Sequence, residues 1–569
     1  MTALSPPSGF AELVARMARA PGEAVQLLAV SALLAVLGLA VSLFVIQVLN
    51  RYVTHGVSGT LLTLTAGAVL AVAAEHQLRK LRWVIAEAIA GDQDRRLATG
   101  VFGLTLTADL RAQAAWSPAA REELVRGTER ARAAFGPAGL TTIADLPFSL
   151  MVLAVLALLS PTLAVVTGGF CAGLALLAWI DQRRLAAPAA AMNRATGEVN
   201  ALVAAAVHAA ETVRHFRAHA ALMERWRILA EQARLTGERV GWLHLHGASL
   251  TQATQGLLSI AVIAVGGMQV VAGTLDVGTL VGANLIAGRV LSPFGRIVQY
   301  GRTLRTAAAA LAEARRFAGV AVERAGGRTL ADWTGGLTLS GVAASFPGRE
   351  EPVFSGLDVT VEPGGVVVLT GRNGSGKSTL LKLLAGLIEP SRGQVLANGA
   401  DLRVLSLDWW RSQVSYLPQE PLFLPGTLRD NLRLARPDAT DADLLRALAE
   451  ADLADLVNRH PRHLDLVLED GGRTLAPGIR RRLGLARALV TDGPLYLLDE
   501  PTEGLDREGA QLVYQRLIAL ARRGRTLIIA SHDPVILNGA RCIVRLDGAA
   551  SGVQPPVPMP MPATVRAAQ

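Results

Sequence analysis

Six apolar runs constrain this chain more than any other feature: roughly Val25 to Leu49, Thr60 to Leu78, Thr142 to Leu159, Thr162 to Ile180, Leu250 to Val271 and Val277 to Ile297. Each is long enough, or nearly so, to cross about 30 Å of hydrocarbon as a helix, and lipid admits only structures that satisfy their own backbone. Composition agrees with that reading. Of 569 residues 51% are apolar and 18% charged, and mean hydropathy is +0.35, which excludes a disordered, collagenous or wholly cytosolic chain. The first run is too long for a cleaved signal and lacks a small-residue cleavage site, so it is read as a span.

Arginines set the expected orientation. Arg16 and Arg19 precede the first span, and the stretches 79 to 140 and 181 to 248 are rich in Arg, whereas the other connections are short and carry few positive charges. Both termini and both long loops are therefore expected in the cytoplasm, with the loops forming helices that extend out of the membrane. That bias also accounts for the net charge of +9. No interleaved basic and aromatic groove pattern accompanies it, so nucleic acid is not an expected partner. Asn284 and Arg289 in the last span are candidates for a substrate path, with snorkelling of Arg289 to the interface as the alternative. Pro147 and Pro293 are expected to kink their helices. The two cysteines, Cys171 and Cys542, are too far apart in sequence to suggest a disulfide framework or a zinc site, and are read as packing residues.

Beyond a helical linker, about Thr303 to Val322, the composition shifts to short apolar strands alternating with helices, so a soluble α/β domain is expected from Leu337. Its second expected strand, Gly365 to Leu369, leads into Gly371-Arg372-Asn373-Gly374-Ser375-Gly376-Lys377-Ser378 and a helix from Thr379 to Leu387. Strand, GxxxxGK[ST] loop and helix stand in the order a phosphate-binding loop requires. Glycines let backbone N–H groups close around phosphates, the helix N-terminus adds its positive end, Lys377 reaches the β- and γ-phosphates, and Ser378 is placed to ligate Mg²⁺. Lysine is otherwise almost absent: Lys80, Lys377 and Lys382 are the chain's three. Downstream, Leu495 to Asp499 reads as a buried strand, with Asp499 as the metal-holding carboxylate and Glu500 as the candidate general base.

These residues resemble the half-transporters of the ATP-binding cassette exporter class, and the resemblance covers nearly the whole chain. It implies a multi-domain architecture: an all-α six-helix transmembrane domain followed by an α/β P-loop nucleotide-binding domain. The expected divisions are an N-terminal cytoplasmic segment 1–24, the membrane domain 25–302, a linker 303–336, the nucleotide domain 337–550 and a Pro-rich disordered tail 551–569. Its glutamine loop matches Tyr416-Leu417-Pro418-Gln419, implying that Gln419 contacts Mg²⁺. Its D-loop matches Glu503 to Asp506, its switch histidine is His532, and its adenine-stacking aromatic corresponds to Phe346 where Tyr is usual. The implied ATP contacts are Phe346, Gly371, Asn373, Gly374, Ser375, Gly376, Lys377, Ser378, Thr379 and Asp499, with Gly478 acting on nucleotide held by a second subunit. The implied Mg²⁺ ligands are Ser378, Gln419 and Asp499.

Within the exporters, Ala144 to Phe148, Glu211 to Arg214 and Gly273 to Phe294 are most similar to the type I secretion permease-ATPases, which implies a coupling helix in or beside 211–220. The implied setting is a bacterial inner membrane, with a membrane-fusion adaptor and an outer-membrane channel as possible partners. Because the first span begins at Val25, the N-terminal peptidase-like domain of some relatives is expected to be missing. One motif departs from the pattern: where the family has LSGGQ, this chain has Leu475-Ala476-Pro477-Gly478-Ile479. Ala476 has no hydroxyl, Pro477 no N–H, and Ile479 no side-chain amide. An intact own site beside a degraded signature suggests one subunit of a heterodimer, against the alternative of a tolerant homodimer. Protein or peptide is the expected cargo; a lipid or small-molecule exporter, or a low-activity regulatory subunit, are the alternatives.

Overall fold

A computed structural model describes residues 9–54, 58–116, 118–346, 351–547 and 550–554. They divide into two compact units, one of Met1–Leu106 with Trp116–Val320 and the other of Thr107–Ala115 with Ala321–Gln569. The segment Thr107–Ala115, inside the stretch read as membrane domain, thus belongs to the second unit.

The first unit is helical throughout. A short helix, α1 (Gly9–Arg19), precedes α2 (Pro21–Gly38) and α3 (Ala40–Gln47), which ends in a π-helical turn, Val48–Val53. The long α4 (Ser58–Thr107) leads to α5 (Leu110–Ala114), which lies in the second unit. Then come α6 (Pro118–Phe135), α7 (Pro137–Ala144), α8 (Leu146–Leu159), α9 (Pro161–His208), α10 (Ala210–His215), α11 (His219–Val271) and α12 (Val277–Ala318). Among the described residues, five helical stretches are long and apolar enough to cross a membrane, and Pro161–Leu177 is a shorter apolar sixth. Pro opens α2, α7, α8 and α9, where its missing N–H costs no hydrogen bond.

The first apolar run is one helical stretch, Pro21–Val53, with a single interruption at Leu39 between α2 and α3. Pro147 sits in the first turn of α8, two residues after the interruption at Asp145, and Pro293 lies inside α12. Leu156, Leu163, Val262, Ile286 and Ala287 are buried where α8, α9, α11 and α12 meet. Leu62, Leu158 and Val271 are at least three-quarters exposed, an outward apolar surface that suits lipid. Helix α1 is pinned by charge: Arg16, 2% exposed, donates to Asp94 at 2.6 Å and to the Phe135 carbonyl at 3.2 Å, and Glu12 accepts from Arg315 at 2.9 Å.

In the second unit, β1 (Leu337–Ala344) and β2 (Phe354–Val361) pair antiparallel, and β4 (Arg392–Ala397) and β5 (Ala400–Asp401) extend that sheet in the order β2-β1-β4-β5. The second sheet holds β3 (Val366–Thr370), β6 (Val414–Leu417), β7 (Leu495–Asp499), β8 (Thr526–Ala530), β9 (Cys542–Asp547) and β10 (Ala550–Gln554) in the order β10-β9-β3-β8-β7-β6. All its pairings are parallel except β9 with β10. Every residue of β7 and β8 is buried, which is why LYLLD and TLIIA are nearly unbroken apolar runs. The strand entering the glycine loop is therefore the third, not the second. The second unit's sheet also passes the expected boundary at 550, since Ser551 to Gln554 pair with β9. The rest of the expected tail lies outside the described residues.

Candidate functional site

Parallel pairing of β3, β8 and β7 brings their carboxyl ends to one edge, where an open α/β sheet places its ligand crevice. Out of β3 comes the loop Gly371 to Gly376, and out of β7 and β8 come Glu500 and Ser531-His532. The loop's backbone requires its glycines: Gly371, Gly374 and Gly376 have φ of 144°, 80° and 101°. A Cβ on Gly376 would come within 2.7 Å of Val353 Cγ1, and one on Gly371 would collide with the Leu546 carbonyl. Gly376 caps α13 (Lys377–Leu384), so the helix N-terminus opens directly onto the loop.

Lys377 is 9% exposed, and its Nζ donates to the Gly371 carbonyl at 2.8 Å and lies 2.9 Å from His532 Nε2. Nε2 of His532 is in turn 3.8 Å from Glu500 Oε1. Asp499 is 2% exposed at the end of β7. Burial raises its pKa above the ordinary carboxylate range, opposed by a hydrogen bond with the Ser378 side chain and by the charges of Lys377 and Lys382. Glu500 is also raised by burial, with the nearby His532 pulling the other way. Its φ of 45° is unusual for a residue with a side chain.

Around these groups is a cavity of about 890 Å³, a volume that suits a nucleotide. Phe346, Asn373, Gly374, Gly376, Lys377, Ser378, Thr379, Gln419, Asp499, Glu500 and His532 all line it. Gly371 lies beneath, accepting from Lys377, and Ser375 keeps a buried Oγ with no hydrogen-bond partner. An orphaned hydroxyl, a lysine tied to loop carbonyls and a nest of glycine amides fit a bound polyphosphate. Ser378, Gln419 and Asp499 together offer the oxygen ligands a Mg²⁺ ion takes. Gly478 does not line this cavity. It lies in the first turn of α14 (Pro477–Thr491), which begins at Pro477 with no side-chain cap from Ala476.

Sequence reasoning missed three supports. Arg481, 8% exposed, donates to the carbonyls of Asp499 at 3.2 Å and Glu500 at 3.0 Å and to Glu503 at 3.2 Å, so it holds the strand end that carries both carboxylates. Asp533 accepts from Thr502 at 2.9 Å and from Tyr514 at 2.5 Å, fixing the turn beside His532. Asp109 caps α5, and Arg111 on that helix lies over the Phe346 ring, 5.8 Å from its centroid. The Asp-capped start at 109 was a readable signal; the tertiary partners of Arg481 and Asp533 were not. Lys80, by contrast, is simply exposed on α4.

Two family models match the chain: that of the ABC transporter transmembrane region over residues 26–294, and that of the ABC transporter over residues 354–503. The chain belongs to the ATP-binding cassette transporters. As a member of that family it couples ATP binding and hydrolysis to transport, through a helical transmembrane domain followed by a nucleotide-binding domain. It is 28% identical over 519 residues, 91% of this chain and 88% of the relative, to the type I secretion system ATP-binding protein PrsD of Rhizobium meliloti (strain 1021). The toxin RTX-I translocation ATP-binding protein of Actinobacillus pleuropneumoniae is 26% identical over 530 residues, 92% and 74% of the two chains. A multidrug efflux ATP-binding/permease protein of Mycobacterium tuberculosis is matched over 24% of its own length at 33% identity. Among solved structures, a bacterial Atm1-family ABC exporter with ATP bound superposes with a TM-score of 0.81 over 94% of this chain and 95% of that one, at 24% identity. That likeness concerns the fold.

Proposed function

We propose that this chain is one half of an inner-membrane exporter that moves a protein or peptide outward in the manner of a type I secretion permease-ATPase, paired with a different half-transporter. The observation that carries the ATPase part is the meeting of Lys377, Asp499, Glu500 and His532 on one cavity at the carboxyl edge of the sheet. Two relatives, one named for type I secretion and one for toxin translocation, align along nearly the whole chain, which supports polypeptide cargo. The Arg-rich stretches 79 to 140 and 181 to 248 support a cytoplasmic position for the termini and the nucleotide domain. An adaptor and an outer-membrane channel would then complete the secretion path.

In this reading Phe346 stacks on the adenine, and Gly371, Asn373, Gly374, Ser375, Gly376 and Thr379 surround the phosphates with backbone and hydroxyl donors. Lys377 neutralises the β- and γ-phosphates. Mg²⁺ held by Ser378, Gln419 and Asp499 would supply charge neutralisation to the same oxygens. Glu500 takes the proton of the attacking water, a role its desolvated carboxylate suits, and His532 orients it and the γ-phosphate. Gly478 faces nucleotide bound by the partner. Losing the side-chain donors at positions 476 and 479 and the amide at 477 weakens the site this signature completes, at about 10² to 10³ in rate per lost donor to developing charge. A partner with a full signature would complete the intact site of this chain. Differential nucleotide binding by closed and open states then shifts the bundle between its two accessibilities.

The test is ATP-dependent uptake of a labelled polypeptide into sealed vesicles carrying this chain and its partner with the nucleotide domains outward. Uptake that fails with Glu500→Gln supports the reading. Lipid movement without polypeptide uptake refutes the assigned cargo.

A further inference from the structure

Phe346 lines the nucleotide cavity, yet little in its own chemistry fixes the plane of its ring. It lies beyond Ala344, the last paired residue of β1, and a phenyl ring offers no atom for a conventional hydrogen bond. Against it lies the guanidinium of Arg111 on α5, with Cζ 5.8 Å from the ring centroid. Arg111 does not line the cavity, so the ring stands between the guanidinium and the space a base would fill.

Arg111 is held at both ends. Its backbone N–H donates to the capping Asp109 carboxylate at 2.8 Å. Just before the helix, Asp109 N–H donates to the Ala321 carbonyl and the Thr107 carbonyl accepts from Glu323 N–H, each at 2.8 Å, around an antiparallel bridge of Ala108 with Val322. At the side-chain end, Nη1 donates to Ser391 Oγ at 3.3 Å, and that oxygen accepts from Ser345 N–H at 2.8 Å. One guanidinium thus touches the ring and, through Ser391, the backbone next to it.

A second observation concerns what the guanidinium is not used for. Its Nε and Nη2 are buried and have no hydrogen-bond acceptor among the described residues, a costly state for charged donors. The negative face of the phenyl ring is the compensation the structure offers them. A purely structural arginine spends its fork on oxygen acceptors, as Arg411 does on Glu323 at 2.9 and 2.7 Å and on the Gly386 carbonyl at 2.8 Å.

We propose that Arg111 is a positioning residue for the nucleotide base. It fixes the Phe346 ring from behind, and its charge draws the ring's π density toward itself, so that the cavity side stacks better on an electron-rich purine than on a pyrimidine. The inference rests on the reading that Phe346 stacks on adenine. Base, phenyl ring and guanidinium then form three layers. Because Arg111 reaches the nucleotide only through the ring, its contribution belongs to the base and not to the phosphates.

The experiment measures displacement of radiolabelled ATP, with Mg²⁺ present, from the full chain in nanodiscs, in a Glu500→Gln background so that nucleotide is not consumed. Competitors are ATP, CTP and inorganic tripolyphosphate, which has no base. Arg111→Ala should weaken ATP about 3- to 30-fold, narrow the preference for ATP over CTP, and leave tripolyphosphate within about twofold. Arg111→Lys keeps a cation for the ring and should recover most of the ATP affinity. Arg111→Gln keeps a donor for Ser391 and should not. With Phe346→Ala already in place, and ATP already weakened, Arg111→Ala should cost nothing more. Retained tripolyphosphate affinity reports that the phosphate loop of each variant is folded. Equal weakening of ATP and tripolyphosphate would make Arg111 a support of the fold or of the local charge and overturns the proposal. So does unchanged ATP affinity in Arg111→Ala, full rescue by Arg111→Gln, or a loss that persists without Phe346. ATP affinity that survives Phe346→Ala removes the stack itself, whereas affinity that falls with Phe346→Ala but not with Arg111→Ala sinks this inference alone.

Discussion

Replacing Arg481 by alanine should uncouple hydrolysis from nucleotide binding. Its guanidinium is nearly buried and holds the carbonyls of Asp499 and Glu500 at 3.2 and 3.0 Å. Glu500 has a φ of 45°, a backbone state that costs roughly 1 to 3 kcal/mol and persists only where its surroundings enforce it. Each hydrogen bond from a charged donor contributes about 1.5 to 3 kcal/mol. The link to the half-exposed Glu503 adds less than about 1 kcal/mol. Truncation should therefore destabilise the nucleotide domain by about 3 to 5 kcal/mol and let the Glu500 backbone relax. A shift of about 1 Å in a catalytic group costs about 10²-fold in rate. Steady-state ATPase assays of the reconstituted transporter should show kcat falling about 100-fold, while ATP affinity by equilibrium binding moves less than about threefold. Arg482→Ala is the control, since its guanidinium pairs with the exposed Asp452 and touches neither carbonyl. A folded Arg481→Ala protein with wild-type kcat would refute the argument.

Glu500→Gln should lower kcat by about 10² to 10⁴ with ATP binding retained, as expected on losing a general base; undiminished turnover would remove Glu500 from that role. Because burial raises the Glu500 pKa, turnover should fall as pH drops through a value above the ordinary carboxylate pKa of about 4.3, and a pH–rate profile flat down to that value would contradict it. In the membrane unit, Arg16→Ala leaves Asp94 buried without its cation, while Glu12 keeps Arg19 and Arg315. It should cost about 3 to 5 kcal/mol of stability, read as a lowered unfolding midpoint in detergent, against about 0 to 1 kcal/mol for Arg126→Ala at an exposed pair.

Much of the site was legible because its chemistry is contiguous. The glycines, Lys377 and Ser378 follow one another, and the left-handed backbone of Gly374 and Gly376 is a local demand that sequence states directly. Buried strands announce themselves equally well, since β7 and β8 lack any polar alternation. What stayed hidden is long-range. Nothing near Arg481 in sequence says that it reaches carbonyls eighteen and nineteen residues away, and it looked like one of three consecutive arginines. Helix α5 was lost inside an Arg-rich loop, and only packing shows that Thr107–Ala115 belongs to the second unit.

The account turns on an intact own site beside a signature that has lost its donors. Steady-state MgATP turnover of the purified chain alone in lipid, compared with an Ala476→Ser/Pro477→Gly/Ile479→Gln repair and with that repair carrying Glu500→Gln, tests it most directly. We predict negligible turnover that the repair raises at least about tenfold, restoring donors worth about 10² to 10³ each, and that Glu500→Gln abolishes again. Brisk, Glu500-dependent turnover of the unrepaired chain, barely changed by the repair, would show that Leu475 to Ile479 is competent as it stands and that two copies of this chain suffice.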